Sequence, residues 1–277
     1  MRSLSAVVAV LIGTAIALPA AAQDAEPRPF SGVYAGGAVG YGFQPNDVGE
    51  RLLFDRNFTG NYNGTVTTAT GANAFSPGFC NGTAVSNANI ACRNDRDGID
   101  FAGRVGFDLQ RGSLVAGVVG EFGKSRVRDA VSGFSTTPAF YTLTREVQWE
   151  GSLRARVGYA ADRTLFYGTA GGGYLKVRNR FTTSNVANAF ATRGDDTVFG
   201  LVAGGGLEQK LTSHISVGVE YLFHRYKDDD YRVRVTQGAA PATNPFILAP
   251  NTAGTDIRRN FNYFRWHSIR GTVAYRF

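Results

Sequence analysis

The sequence predicts an all-β chain: eight antiparallel strands closed into an up-and-down transmembrane barrel, with short turns at one end and long loops at the other. Three observations predict it. Eight segments alternate apolar and polar residues with period two. Each is longer than the roughly 9 to 11 residues that a tilted strand needs to cross a bilayer. The connections alternate between a few residues and long polar stretches, the pattern of barrels whose turns face the periplasm and whose loops face outward.

The first segment, residues 33 to 43, sets Val33, Ala35, Gly37, Val39, Tyr41 and Phe43 on one face. The second, 99 to 110, opposes Ile99, Phe101, Val105, Phe107 and Leu109 to Asp100, Arg104, Asp108 and Gln110. The third covers 114 to 127. In the fourth, 147 to 159, the alternation sends Val147, Trp149, Leu153, Val157 and Tyr159 to lipid and Gln148, Glu150, Arg154 and Arg156 inward. The fifth runs from Thr164 to about Arg180, the sixth from Val198 to Gln209, the seventh from Ile215 to about Tyr226 and the eighth from Phe261 to Phe277. The long connections are 44–98, 128–146, 181–197 and 227–260. With an even strand number, the first strand starts and the last strand ends on the periplasmic side. A soluble eight-stranded barrel of the lipocalin kind shares the topology, but its interior is apolar, whereas this one carries charges.

Residues 1–22 have a basic start at Arg2, an apolar run from Ala6 to Leu18 and small residues at Ala20 and Ala22. The run is too short for a bilayer-spanning helix, and the pattern is that of a cleaved signal peptide. Residues 23–277 then form one barrel domain. The 35 glycines suit closely approaching strands better than helices. Lys and Arg exceed Asp and Glu by 29 to 22, and removing Arg2 takes the net charge from +7 to +6. In an exported chain that excess points to anionic lipid headgroups rather than to nucleic acid. Cys80 and Cys92 lie in one polar stretch, and an exported chain favours a disulfide between them, whose closure removes about 3 kcal/mol of chain entropy. With no further Cys or His nearby, a metal pair is disfavoured, and no cofactor is implied.

Face parity places Asp100, Asp108, Glu121, Glu150, Glu208 and Glu220 in the lumen with Arg104, Arg154, Arg156, Lys176, Arg270 and Arg276. An eight-stranded barrel is just wide enough for side chains to fill, and buried charges persist only when paired. The expectation is a salt-bridged plug, with a narrow ion path lined by the same residues as the alternative. Catalysis has little to draw on. His267 and Ser268 are strand neighbours and face opposite ways. His224 points inward ahead of Asp228, Asp229 and Asp230, which reads as a solvated acidic loop, or as a rim hydrolase in the weaker alternative. His214 falls in a periplasmic turn.

The stretches FSGVYAGGAVGYGF, GRVGFDL, VAGVVGEFG, GGGLEQKLTSHISVGVEYLF and HSIRGTVAYRF resemble the opacity-type, porin-like outer-membrane β-barrel family, related in architecture to the OmpA transmembrane domain. The resemblance covers nearly all of the mature chain outside the loops. It implies the outer membrane of a Gram-negative bacterium and recognition of Tyr275 and Phe277 by the barrel-assembly machinery. It also implies a structural role in envelope integrity or a surface-interaction role, with a porin-like channel as the alternative, and no enzyme activity. The loops, including the apolar island Phe246, Ile247 and Leu248, are expected to be hydrated coil or to engage host or cell-surface ligands. Lys124, Arg126, Arg258, Arg259 and Arg265 are expected near the outer rim, where they would meet lipopolysaccharide phosphates.

Overall fold

The computed structural model describes residues 28–45, 48–194 and 196–277; the signal peptide expected at 1–22 lies outside them. In chain order the strands are β1 (Gly32–Phe43), β2 (Leu52–Arg56), β3 (Phe79–Asn81), β4 (Thr83–Ala84), β5 (Cys92–Arg93), β6 (Gly98–Arg111), β7 (Leu114–Ser125) and β8 (Arg128–Ser135). They continue with β9 (Ala139–Ala161), β10 (Thr164–Thr183), β11 (Ala189–Arg193), β12 (Thr197–Lys210), β13 (Ile215–Lys227), β14 (Arg232–Thr236), β15 (Thr255–Arg259) and β16 (Tyr263–Arg276).

Eight of these close the barrel in the order β1, β6, β7, β9, β10, β12, β13, β16 and back to β1, every neighbour antiparallel. Closure lets each strand pair its backbone donors and acceptors with a neighbour on both sides, which is the condition for crossing hydrocarbon. The outward positions form an apolar belt in which Val39, Val105, Leu153, Val157, Phe199 and Val219 are all exposed. Aromatic rings bound it at the long-loop end, where Phe122, Trp149, Tyr174 and Phe199 touch in series at centroid distances of 4.9 to 5.5 Å. At the short-turn end, Tyr275 packs on Phe277 and His214.

The inner face of β1 carries Tyr34, Gly36, Ala38, Gly40 and Gly42. Gly36 stands opposite Arg104 and Gly40 opposite Arg270, so the small residues leave volume for long side chains from the neighbouring strands. At Gly40 a Cβ would lie 2.0 Å from the Ile269 carbonyl oxygen, so any larger residue must push β16 away.

The long connections are folded. β9, at 23 residues, and β10, at 20, run well beyond the apolar belt, and β8 pairs with the projecting half of β9. Above them, β11, β14, β15 and β2 make a separate four-stranded sheet. Leu52, Phe54, Val66, Phe75, Val131, Tyr141, Leu143, Val233, Val235, Phe246, Ile247 and Ile257 are buried together there, so this head has its own apolar core. Cys80 and Cys92 form the expected disulfide, joining β3 to β5 with Cα atoms 6.3 Å apart. Phe246 and Ile247, read from sequence as an outward apolar island, are 3% and 4% exposed and belong to this core. The correction has a simple cause: enough apolar residues are scattered through four polar loops to exclude water once the loops meet.

One further correction concerns face parity. Opposite Lys176 and Val177 of β10 stand Trp149 and Val147 of β9, so Gln148 is an extra residue, a β-bulge. A bulge reverses which face the next residues occupy. Val147, expected to meet lipid, is therefore buried inside the barrel, while Glu150, Arg154 and Arg156 keep their inward places.

Candidate functional site

The lumen is filled in tiers. Nearest the short turns, the buried ring of Phe30 lies with Val115, Ala160, Leu165 and Tyr167. Above it, Arg276 Nη2 reaches Asp108 Oδ2 at 2.9 Å and Glu208 Oε1 at 3.5 Å. Arg156 joins the same two carboxylates, 3.5 Å from Asp108 and hydrogen-bonded to Glu208. Its guanidinium stacks 4.0 Å from the centre of the Tyr167 ring, and Ser216 Oγ donates to Glu208 at 2.7 Å.

The next tier is centred on Glu220. Arg104 Nη2 donates to its Oε1 at 3.0 Å, Arg270 Nη2 contacts Oε2 at 2.5 Å, and Arg154 Nη2 lies 3.7 Å away. Tyr167 OH donates to Oε1 at 3.0 Å. Glu121 is bound by Arg154 and by Arg270 at 2.9 Å, with Arg104 at 3.8 Å, and Asp100 lies 3.4 Å from Arg270. Cross-strand register explains the pairing: Arg270 stands opposite Glu220, and Arg104 opposite Glu121.

Six carboxylates thus face five arginines in the lumen. The sixth, Glu150, accepts from Tyr226 and has His224 Nδ1 at 2.8 Å. The other His224 nitrogen, Nε2, is 3.1 Å from Ser268 Oγ, and the ring stacks on Trp266 at 4.4 Å. These distances suit a serine, histidine and carboxylate relay, and sequence reading missed it because His224 and Ser268 sit on adjacent strands rather than side by side. The relay has no substrate space. Ser268 is 0% exposed, and the nearest cavity holds about 10 Å³, the size of one water. Above it Val147, Leu175, Val202, Leu222, Phe264 and Trp266 pack into an apolar stopper.

Lys176 is absent from this network. It sits on the outer face of β10, with its ammonium 2.5 Å from Asp196 and its side chain about one third exposed. The glycine run Gly171 to Gly173 hides the phase of the alternation, which the outward rings of Phe166 and Tyr174 reveal.

Between stopper and head lies a second buried ion cluster. Asp129 takes Arg145 Nε at 2.5 Å and Arg259 Nη1 at 2.9 Å; Arg259 also reaches Glu50 at 3.0 Å, and Asp228 lies 3.8 Å from Arg145. Arg259, expected at the lipid surface, is therefore 8% exposed and locks head to barrel. Burial pushes the Asp129 carboxyl up, but the two guanidiniums outweigh it and hold it below the usual range. Asp95, on the edge of the cluster, accepts from the Ala130 amide at 2.8 Å and makes no ion pair with a guanidinium among the described residues. Burial first, and then the neighbouring Asp129 charge, push its pKa up to about 7. Of the acidic run, Asp228 is buried in this cluster, while Asp229 and Asp230 are exposed and paired with Lys227 at 2.7 Å and Arg232 at 3.1 Å.

The remaining candidates lie apart. Lys124 and Arg126 are exposed on the outer wall just beyond Phe122, and Arg265 is partly exposed on that wall, whereas Arg258 belongs to the head, its guanidinium 3.9 Å above the Tyr62 ring. Tyr275 and Phe277 are exposed at the short-turn end. His267 faces outward, with its Nδ1 2.6 Å from Tyr221 OH, and His214 is in an exposed turn. At the tip of the head, Phe75, Tyr141, Phe246, Asn185 and Asn244 line a cavity of about 220 Å³.

The sequence model of the family described as "Outer membrane protein beta-barrel domain" matches residues 7–277. Among curated relatives, the "22 kDa outer membrane protein" of Rhizobium leguminosarum bv. viciae is 33% identical over 140 residues, covering 50% of this chain and 58% of that protein. The "25 kDa outer-membrane immunogenic protein" of Brucella abortus biovar 1 (strain 9-941) is 34% identical over 176 residues, 62% of each chain. The chain spans about three fifths of the length of these relatives. Among solved structures, the outer membrane protein OprG of Pseudomonas aeruginosa aligns over 89% of this chain and 96% of its own, with 10% identity and a TM-score of 0.48.

Replacing Glu220 by Ala removes the carboxylate that Arg104, Arg154 and Arg270 share and leaves Glu121 to serve all three buried guanidiniums, so unfolding of the micelle-refolded barrel in urea is expected to show a loss of about 3–5 kcal/mol; a loss below about 1 kcal/mol contradicts the pairing. Because the raised Asp95 pKa favours the protonated folded state, the stability it supplies is fully present below about pH 4 and is lost as pH rises through 7. The urea midpoint of the head, followed by near-ultraviolet circular dichroism, is expected to fall between pH 5 and pH 8 by more in the wild type than in Asp95→Asn. Equal falls would contradict it.

Proposed function

We propose, from the premise that this chain belongs to the outer membrane protein β-barrel family, that its barrel is a closed anchor in the cell outer membrane and that its work is done by the folded head on the extracellular side. The observation that carries this reading is the filled lumen. Two tiers of paired charge lie between an apolar floor and an apolar stopper, and the cavity beside them is about 10 Å³, too small for a continuous water path. The barrel thus supplies envelope integrity and a rigid base, and the head supplies surface interaction.

The head is suited to contact. Its core backs the tip cavity, where Pro138, Val186 and Pro245 line a small recess over the buried Phe75, Tyr141 and Phe246 and offer apolar surface to a ligand on a neighbouring cell or host. The Asn185 amide is committed to Tyr141 OH and Asn188, so it is held in place at the wall of the recess. At the membrane, Lys124, Arg126 and Arg265 face the height of lipopolysaccharide phosphates, while Tyr275 and Phe277 offer the exposed aromatic end that the assembly machinery would engage. The protein is not an enzyme on this reading, because the Ser268 hydroxyl cannot be reached by a substrate.

Planar-bilayer recording of the refolded chain tests the closed lumen. The expected result is a folded, heat-modifiable barrel that passes no current. Steady conductance steps that change in Arg154→Gln or Arg270→Gln would favour the channel reading instead, with the same residues lining the path.

A further inference from the structure

Immediately outside the aromatic belt, β7, β8, β9 and β10 and the segment before β6 enclose a groove of about 270 Å³ on the outer wall. Five cations line it: Arg96, Lys124, Arg126, Arg128 and Arg178, against the single carboxylate of Glu146. The sequence places Lys124 and Arg126 near the outer rim; Arg96, Arg128 and Arg178 come from other segments and only the fold brings them together. Like charges concentrated in one recess repel each other, an arrangement that costs folding energy unless an anion occupies it.

The fold holds the groove in place. Arg96 and Arg128 are fixed by reciprocal backbone hydrogen bonds, at 2.8 and 2.9 Å, and Glu146 pairs with Arg128 and orients it. With its amide oxygen turned toward Arg178, Gln148 accepts from Nε and Nη2 at 2.5 and 2.6 Å, so the bulge that places Gln148 also aims that guanidinium. Buried beside the groove, the Ser125 hydroxyl has no hydrogen-bond partner among the described residues.

Height decides the ligand. Lys124 is two residues beyond Phe122 on the same outward face, about 7 Å along the strand, and Arg126 follows just past the end of β7. The Trp149 and Tyr174 rings lie beneath the groove at the belt's edge. A group held there by its charge keeps an attached acyl chain against the apolar wall below. A soluble anion would gain nothing from that wall, whereas a membrane lipid gains from both.

We propose that this groove binds the phosphorylated saccharide headgroup of an outer-leaflet lipid, with the arginine forks of Arg126, Arg128 and Arg178 taking phosphate oxygens and Lys124 and Arg96 completing the charge. The proposal rests on the outer-membrane reading above and sharpens its lipid contact into one site, separate from the head.

The test uses the full chain refolded in micelles and titrated with lipid A carrying two phosphates, with the dephosphorylated lipid, inorganic phosphate and heparin as parallel ligands. Wild-type protein is expected to bind the diphosphorylated lipid at least roughly tenfold more tightly than Arg126→Gln/Arg178→Gln, while Arg193→Gln on the head binds like wild type. Heat-modifiable gel mobility shows that each variant is folded. Equal binding by the double variant, or by the dephosphorylated lipid, overturns the proposal. Inorganic phosphate or heparin binding as tightly as the lipid overturns the lipid as ligand. Failure here leaves the closed barrel untouched, since its failure is read as current rather than as lost lipid binding.

Discussion

Three guanidiniums converge on the carboxylate of Glu220, and the rest of the barrel is arranged so that they can. A closed wall of eight strands solves the hydrogen-bonding problem of the backbone in lipid, but it makes an interior too narrow for water and too polar for an ordinary core. The inward arginines and carboxylates then meet one another, between neighbouring strands and across the axis. Glycines at Gly36 and Gly40 make room opposite Arg104 and Arg270, and Tyr167 spends its hydroxyl on Glu220 and its ring face on Arg156. Removing a buried pair is tolerable, but removing half of one is not. That asymmetry makes the lumen a single cooperative unit.

The head depends on that unit. β9 and β10 leave the membrane as continuous ribbons and carry one wall of the head, and β8 hangs on β9. The Asp129 cluster then ties three connections together, because Arg145 comes from β9, Arg259 from β15 and Glu50 from the segment before β2. Arg145 also donates to the Tyr263 carbonyl at the start of β16, and Arg259 to the Leu143 carbonyl of β9. Loop residues are therefore held by the same device as the lumen: buried charge matched by charge, with an apolar layer on each side.

Much of this was legible in the sequence. The eight alternating segments became the eight barrel strands, and the short and long connections fell at opposite ends. Inward Asp100, Arg104, Asp108, Glu121, Arg154, Arg156, Glu208, Glu220, Arg270 and Arg276 could be read by counting residues in twos. What escaped has identifiable causes. The bulge at Gln148 reverses parity within one strand, so Val147 was placed on the wrong face. A run of glycines carries no phase, so Lys176 was too. The head was unreadable because its core is drawn from four loops, each with a few apolar residues and no periodicity; Phe246 and Arg259 looked exposed only while their partners, far along the chain, were unknown. The relay of Ser268, His224 and Glu150 needs three strands in register, which no local pattern reports.

The central claim is that a sealed barrel carries a head folded as firmly as itself. Native-state amide hydrogen exchange of the refolded full chain tests it most directly. The account predicts that amides of β2, β11, β14 and β15 are protected for hours, alongside those of β13 in the barrel wall. Exchange of the head strands within seconds, with only the barrel protected, would contradict it.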